Sequence, residues 1–207
     1  MEILLTIAIP TLENRKEVFE ELYQELKKQS ESYGEQIEII SESDDGTLTI
    51  GGKRNLLNQK AKGKYIVQWD DDDWIHPNGI DMIMEGIKTD VDVVTFNNYT
   101  DIKQWGKHQH FHKFISLKNN PARTDYEKSE IYCPPDQKSV LKTEIVRNIK
   151  FWNMNHAEDW YYMIDINPYL KTEHKIEEFI YLYMNRTNQT MDPNKSCLLY
   201  TSPSPRD

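Results

Sequence analysis

The chain opens on Ile3-Leu4-Leu5-Thr6-Ile7-Ala8-Ile9, a nearly unbroken apolar run. Continuous rather than alternating hydrophobicity suits a strand covered on both faces, which requires helices above and below a sheet. Pro10 is expected to end this strand. Asn14 then reads as the N-cap of a helix with Val18, Phe19, Leu22 and Leu26 on one face and Lys27 and Lys28 in its last turn. A second strand is predicted over Gln36 to Ser41. Gly51-Gly52 opens a second helix carrying Leu56, Leu57 and Ala61, and Gly63 closes it. A third strand covers Lys64 to Trp69, Pro77 starts a third helix, and Val91 to Phe96 form a fourth strand. This βαβαβαβ order predicts an α/β fold: a Rossmann-like three-layer α/β/α sandwich on a mostly parallel central sheet.

From about Asn97 onward the pattern loosens. Short strands are predicted near His108 to Phe114 and Gln137 to Leu141, a helix over Glu158 to Ile166, and a last strand over Ile176 to Met184. There is no internal repeat, and residues 1–196 read as one domain. The final eleven residues, Cys197 to Asp207 (CLLYTSPSPRD), have no helical or strand period. They resemble the translation of a transposase adapter used in sequencing libraries. They are read as a non-native tail, in which case the natural sequence is cut near Ser196 and extends further.

Composition bounds the function. With 38% hydrophobic residues the 207-residue chain can bury a core, so a wholly disordered chain is excluded. Its 25 basic and 34 acidic residues give a net charge of -9, the wrong sign for a protein that grips nucleic acid through a basic surface. Cys133 and Cys197 cannot make a disulfide framework, and Cys133, before Pro134-Pro135, reads as a small turn residue; a reducing, cytoplasmic setting fits. No apolar run has transmembrane length, and Met1 to Pro10, with Glu2 and no basic start, is not a signal peptide. Peripheral membrane association stays open.

The chemistry gathers beyond the carboxyl ends of the strands, where open α/β sheets bind ligands. Pro10-Thr11-Leu12-Glu13 follows the first strand and Asp44-Asp45 the second, and Asp70-Asp71-Asp72-Asp73 follows the third. Adjacent carboxylates raise one another's pKa, which is tolerable in a solvated loop or around a hard cation such as Mg2+ or Mn2+. The run lies between a buried strand and Trp74-Ile75, an unusual place for a merely solvated loop. Lys53 and Arg54 sit in the first turn of a helix whose glycines would expose backbone N–H groups to an anion. An acidic loop facing a basic helix start describes a site for a metal-complexed diphosphate. In His156-Ala157-Glu158-Asp159-Trp160 a carboxylate serves either as a general base or as the acidic start of a helix, and spacing alone favours the helix start. His108, His110 and His112 alternate on one strand face among lysines, a solvated face or acceptor surface more readily than a metal site.

Taken together, Ile9-Pro10-Thr11, Gly52-Lys53-Arg54-Asn55, Gly63-Lys64-Tyr65-Ile66-Val67, Asp70-Asp71-Asp72-Asp73-Trp74 and Glu158-Asp159-Trp160 resemble glycosyltransferase family 2, of GT-A fold, over about Ile3 to Leu170. The resemblance implies inverting transfer of a sugar from a nucleotide-sugar, usually a UDP-sugar, to a glycan or other hydroxyl acceptor. It implies a nucleotide-sugar half over 1–97 and an acceptor half over 98–196. Pro10, Thr11, Leu12, Glu13 and Asp44 would hold the nucleoside, with Lys53 and Arg54 near the nucleotide. Asp70-Asp71-Asp72 would be the Asp-x-Asp motif, Asp70 facing the ribose and Asp72 the Mn2+ or Mg2+ ion. Asp159 would be the general base, with Glu158 and Trp160 on the acceptor side. The first loop departs from the pattern, with Leu12-Glu13-Asn14 where many members carry an aromatic residue and asparagine, so base stacking is not implied there. Two rivals stay open: a metal-dependent nucleotidyltransferase or phosphohydrolase, and a domain that binds nucleotide-sugars without turnover.

Overall fold

A computed structural model describes residues 2–104 and 107–184, with backbone alone for 101–104 and 107–109. The tail from Cys197 and the side chain of His108 lie outside the described residues. The elements run β1 (Leu5–Leu12), α1 (Lys16–Ser30), β2 (Ile37–Asp44), α2 (Ile50–Lys60), β3 (Tyr65–Gln68), β4 (Trp74–Ile75), α3 (Gly79–Ile87) and β5 (Val93–Gln104). Then come β6 (Lys107–Ile115), β7 (Arg123–Asp125), β8 (Glu130–Cys133), β9 (Val140–Lys142), α4 (Thr143–Val146), α5 (Glu158–Ile166) and β10 (Glu173–Tyr183).

β1 lies between β2 and β3 and pairs with both in parallel. β9 runs antiparallel between β3 and β5, and β10 pairs in parallel along the other edge of β5. β2, β1, β3, β5 and β10 therefore share one direction, which makes the centre of the sheet mostly parallel. Farther along β5 the sheet continues through β6, β8 and β7. Two apolar clusters fill the faces. One joins Ile7, Ile9 and Val67 to Leu22 and Leu26 of α1 and Ile80 and Ile83 of α3. The other joins Ala8, Ile66 and Leu141 to Leu57 of α2, Val146 of α4 and Tyr162 and Ile166 of α5. This is the three-layer arrangement that the unbroken apolar strand requires.

Several boundaries differ from the sequence expectation, each for a physical reason. β1 continues through Pro10 to Leu12. The Trp69 N–H donates to the Ala8 carbonyl, so alternate residues of β1 face β3. Pro10, two residues on, lies past the end of β3 and needs no N–H there. Asn14 is not the cap of α1, because a 3-10 turn over Glu13–Arg15 comes first. α2 ends at Lys60, so Gly63 does not close it. Gly63 instead permits close approach to β1, since a Cβ there would lie 2.6 Å from the Thr6 nitrogen. β2 runs on to Asp44, and α3 starts at Gly79, two residues after Pro77.

Candidate active site

The reversal of strand order at β1 and β3 leaves a crevice at their carboxyl ends, and α2 closes one side of it. α2 is fixed from below by Gln68, which donates to the Arg54 carbonyl (3.1 Å) and to Asn58 Oδ1 (2.6 Å). Its N-terminus does not present free N–H groups to an anion, contrary to the sequence expectation. The Ile50 N–H donates to Asn155 Oδ1 (3.0 Å), Gly51 to the Met154 carbonyl (3.2 Å) and Gly52 to Thr49 Oγ (3.0 Å).

The two basic residues of the first turn are buried rather than solvated. Lys53 is 3% and Arg54 2% exposed. The Lys53 ammonium donates to the Thr11 carbonyl (2.6 Å) and is ion-paired with Asp44. Burial pulls the Asp44 carboxyl upward, but hydrogen bonds from Lys53 and the Leu48 N–H outweigh it and hold the pKa at about 2. Arg54 donates from Nη2 to Asp70 (2.6 Å) and from Nε to Glu158 (3.4 Å). Burial works against the Asp70 anion as well, and the Arg54 charge wins, so its pKa is lowered.

The other aspartates of the run separate into distinct surroundings. Asp71 accepts from the Thr11 hydroxyl (2.5 Å) and pairs with Arg15 Nη2 (2.7 Å). Burial nevertheless pushes its pKa to about 6, with Asp72 and Asp70 adding to the rise. The same Arg15 nitrogen lies 2.6 Å from Asp72 Oδ2. Asp73 accepts from the Tyr181 hydroxyl and from the Met184 N–H (2.8 Å), which turns it toward β10. Burial, with Asp70 and Asp72 nearby, raises its pKa. The run is thus not four mutually repelling, solvated acids: Asp70 is stabilised as an anion while Asp71 and Asp73 are pushed toward the neutral form.

Beside α2, in the same layer, stands α5. Glu158 and Asp159 both lie in its first turn, the acidic helix start that the spacing favours, while the N-cap itself is Ala157, in the left-handed region at φ 61°. Glu158 turns inward to Arg54 and is buried, and burial raises its pKa against the pull of that guanidinium. Asp159 is half-buried and accepts from the Trp160 N–H (2.8 Å), while Trp160 is exposed. Pro10 is buried in β1, Leu12 is half-buried and Glu13 lies exposed on the following turn. The structure therefore links Lys53, Asp44, Thr11, Asp71 and Asp72 in one set of contacts, the last two through Arg15, and Arg54, Asp70 and Glu158 in a second, and leaves Glu13 and Trp160 outside both.

Sequence reasoning missed four participants. Arg15 gave no signal, being a single basic residue in a turn. Half-buried Lys113 and buried Asp136 form an ion pair (2.8 Å) across β6 and the segment before β9. Lys138 is 8% exposed; burial opposes its charge, and Asp136, Asp70 and Asp159 more than restore it. His110 and His112 both lie on β6 and pack against Tyr99, with His112 also against Phe179.

For a divalent cation, the suitable groups are Asp71 and Asp72. Their oxygens converge on a single nitrogen, and hard carboxylate oxygens suit Mg2+ or Mn2+. Among the described residues no group of three or more His, Cys, Asp or Glu is arranged to hold a metal. Such an ion would have two protein carboxylates and take its other ligands from a bound phosphate.

A family model for glycosyl transferase family 2 matches residues 14–150. Among solved structures, TarS 1-349 of S. aureus in complex with UDP-GlcNAc superposes with a TM-score of 0.65 at 14% identity, covering 93% of this chain and 61% of that one. The same TarS fragment in complex with UDP gives 0.60 at 15% identity over 86% of this chain and 60% of that one. The chain thus spans about three-fifths of those structures, and the likeness shows a shared GT-A fold. No curated protein matches the sequence.

Proposed function

The chain belongs to glycosyl transferase family 2, and from that premise we propose that it moves a sugar from a UDP-sugar to an acceptor hydroxyl with inversion at the anomeric carbon. The observation that carries this reading is the network at the strand ends. Lys53 pairs with Asp44 and Thr11, Thr11 with Asp71, and Arg54 with Asp70 and Glu158, and Asp159 follows Glu158 at the start of α5. That TarS was crystallised with UDP-GlcNAc and with UDP supports the donor class.

In this reading the loop from Thr11 to Glu13 and the Asp44 carboxylate hold the nucleoside. With its pKa near 2, Asp44 stays an anion and accepts hydrogen bonds from the base or ribose at any working pH. Asp70, oriented by Arg54, accepts from a ribose hydroxyl. A divalent cation held by Asp72, with Asp71 beside it, would offset the charge that builds on the departing diphosphate. Asp159 accepts the acceptor's hydroxyl proton. The freed oxygen pair forms the new bond to the anomeric carbon, and the old carbon–oxygen bond breaks on the opposite face, its electrons leaving with UDP. Trp160, exposed beside the base, lines the acceptor approach.

Replacement of the base tests the assignment. Asp159→Asn should lower turnover by roughly 10²- to 10⁴-fold, the range for loss of a general base, while UDP binding by calorimetry stays within about twofold of wild type. Wild-type turnover in the variant would sink the assignment. The same assay, run as a panel of nucleotide-sugars and scored for UDP release with and without acceptor, separates transfer from hydrolysis. Release of pyrophosphate or phosphate would favour a nucleotidyltransferase or phosphohydrolase.

A further inference from the structure

Arg15 is the feature of this crevice that the proposed reaction does not yet use. One of its terminal nitrogens, Nη2, lies 2.7 Å from Asp71 and 2.6 Å from Asp72, so it bridges the oxygens that suit a divalent cation. The two aspartate side chains are 3% and 7% exposed, whereas the Arg15 side chain, on the turn after β1, is 20% exposed. The two cations of α2 are pinned. Lys53 lies between Asp44 and the Thr11 carbonyl, and Arg54 between Asp70 and Glu158, with side chains 4% and 3% exposed.

We propose that Arg15 is a built-in counter-cation of the acidic loop, which a divalent metal displaces only together with a nucleotide diphosphate. The argument rests on the glycosyltransferase reading above. A bare Mn2+ ion would meet two carboxylates already matched by a guanidinium and, among the described residues, no third acidic, histidine or cysteine ligand. It would have to shed water and expel Arg15 with little in return. A diphosphate changes both sides of that balance. Its oxygens complete the metal's ligand set, as is usual for Mg2+ and Mn2+ at phosphate sites. Its negative charge also gives the released guanidinium a bidentate partner. Metal and donor then bind as coupled ligands, each raising the affinity of the other by the same factor.

The test is a Mn2+ titration of the whole chain, followed by the electron paramagnetic resonance of free Mn2+, with and without UDP. In the wild type, UDP should tighten Mn2+ binding by about tenfold or more, within the usual range of coupling between sites. Arg15→Gln should bind Mn2+ alone about tenfold more tightly than wild type and show a correspondingly smaller enhancement by UDP, keeping only the part that the phosphate ligands supply. Arg15→Lys keeps the cation and should stay near wild type. Wild type binding Mn2+ equally well with and without UDP overturns the proposal without recourse to any variant. So does Arg15→Gln showing the wild-type affinity for Mn2+ alone. Failure of the wild type to bind Mn2+ even with UDP would instead overturn the metal reading itself.

Discussion

Lys53 places an ammonium where only 3% of the residue meets solvent, and two oxygens make this tolerable: the Thr11 carbonyl and the Asp44 carboxylate. Removing one partner from a buried pair leaves an uncompensated charge, which costs more than the pair itself is worth. Asp44→Asn should therefore destabilise the fold by about 3 kcal/mol at pH 7, the range for one lost partner. The pH dependence follows from the sign of the Asp44 shift. Its folded pKa of about 2 lies below the ordinary 3.8, so the unfolded chain takes up the proton first as pH falls. The contribution is complete above about pH 4 and is lost as pH falls toward 2. In urea melts, the stability gap between wild type and Asp44→Asn should shrink across that window; a gap unchanged at pH 2.5 would refute the pairing. Residue types named Lys53, Asp44 and the acidic run in advance, because basic and acidic groups at strand ends are visible in one dimension. Their partnerships were not, since Arg54 meets Glu158 across 104 positions and Arg15 meets Asp71 only through the fold.

At the scale of elements, α2 is where the donor half and the α5 half are joined. Asn55 exchanges two hydrogen bonds of 2.9 Å with the backbone of Phe151. Thr49 donates to Asn153 (2.5 Å), and the N–H groups of Ile50 and Gly51 reach Asn155 and Met154. The segment that leads into Asp159 is thus laid directly on the start of the helix that carries Lys53 and Arg54. Gly51 makes this possible, because a Cβ there would lie 1.9 Å from the Trp152 carbonyl oxygen. Gly51→Ala should destabilise by about 2–3 kcal/mol, as overpacking against backbone does, and should lower turnover by displacing Asp159. Gly52→Ala meets Thr49 Oγ at 3.1 Å and gains helix propensity, so thermal melting should place it within about 1 kcal/mol of wild type. Equal effects of the two would refute the docking argument. The long periodic elements were legible: α5 falls on Glu158–Ile166 as predicted, and α1 carries the expected apolar face. β4, β7 and β8, of two to four residues, carry no readable period. Nor does a strand's sequence say that β9 inserts antiparallel between two parallel neighbours, since that depends on which edge is left unfilled.

For the molecule as a whole, one unbroken apolar strand sufficed to demand two helical layers, and the fold has them because Ile7 and Ile9 pack on α1 and α3 while Ala8 packs toward α2. The net charge of -9 has a local expression at the crevice, where Asp44, the four aspartates and Glu158 outnumber Arg15, Lys53, Arg54 and Lys138. A diphosphate approaching that surface is repelled unless a cation comes with it, so the stability of the whole chain should report the pair of ligands rather than either alone. A ligand at about a hundred times its dissociation constant stabilises the folded state by about 2.7 kcal/mol. For a chain of this size that corresponds to roughly 5–10 °C in Tm. Differential scanning fluorimetry should show this rise with UDP plus Mn2+, a much smaller one with UDP plus chelator, and little with Mn2+ alone. Asp72→Ala should remove the metal-dependent part of the rise, read against the variant's own ligand-free Tm. An equal rise with and without chelator would mean that no cation held by the acidic run offsets the donor's charge. A rise with other nucleoside diphosphates but not with UDP would move the donor class away from UDP-sugars while leaving the family assignment standing.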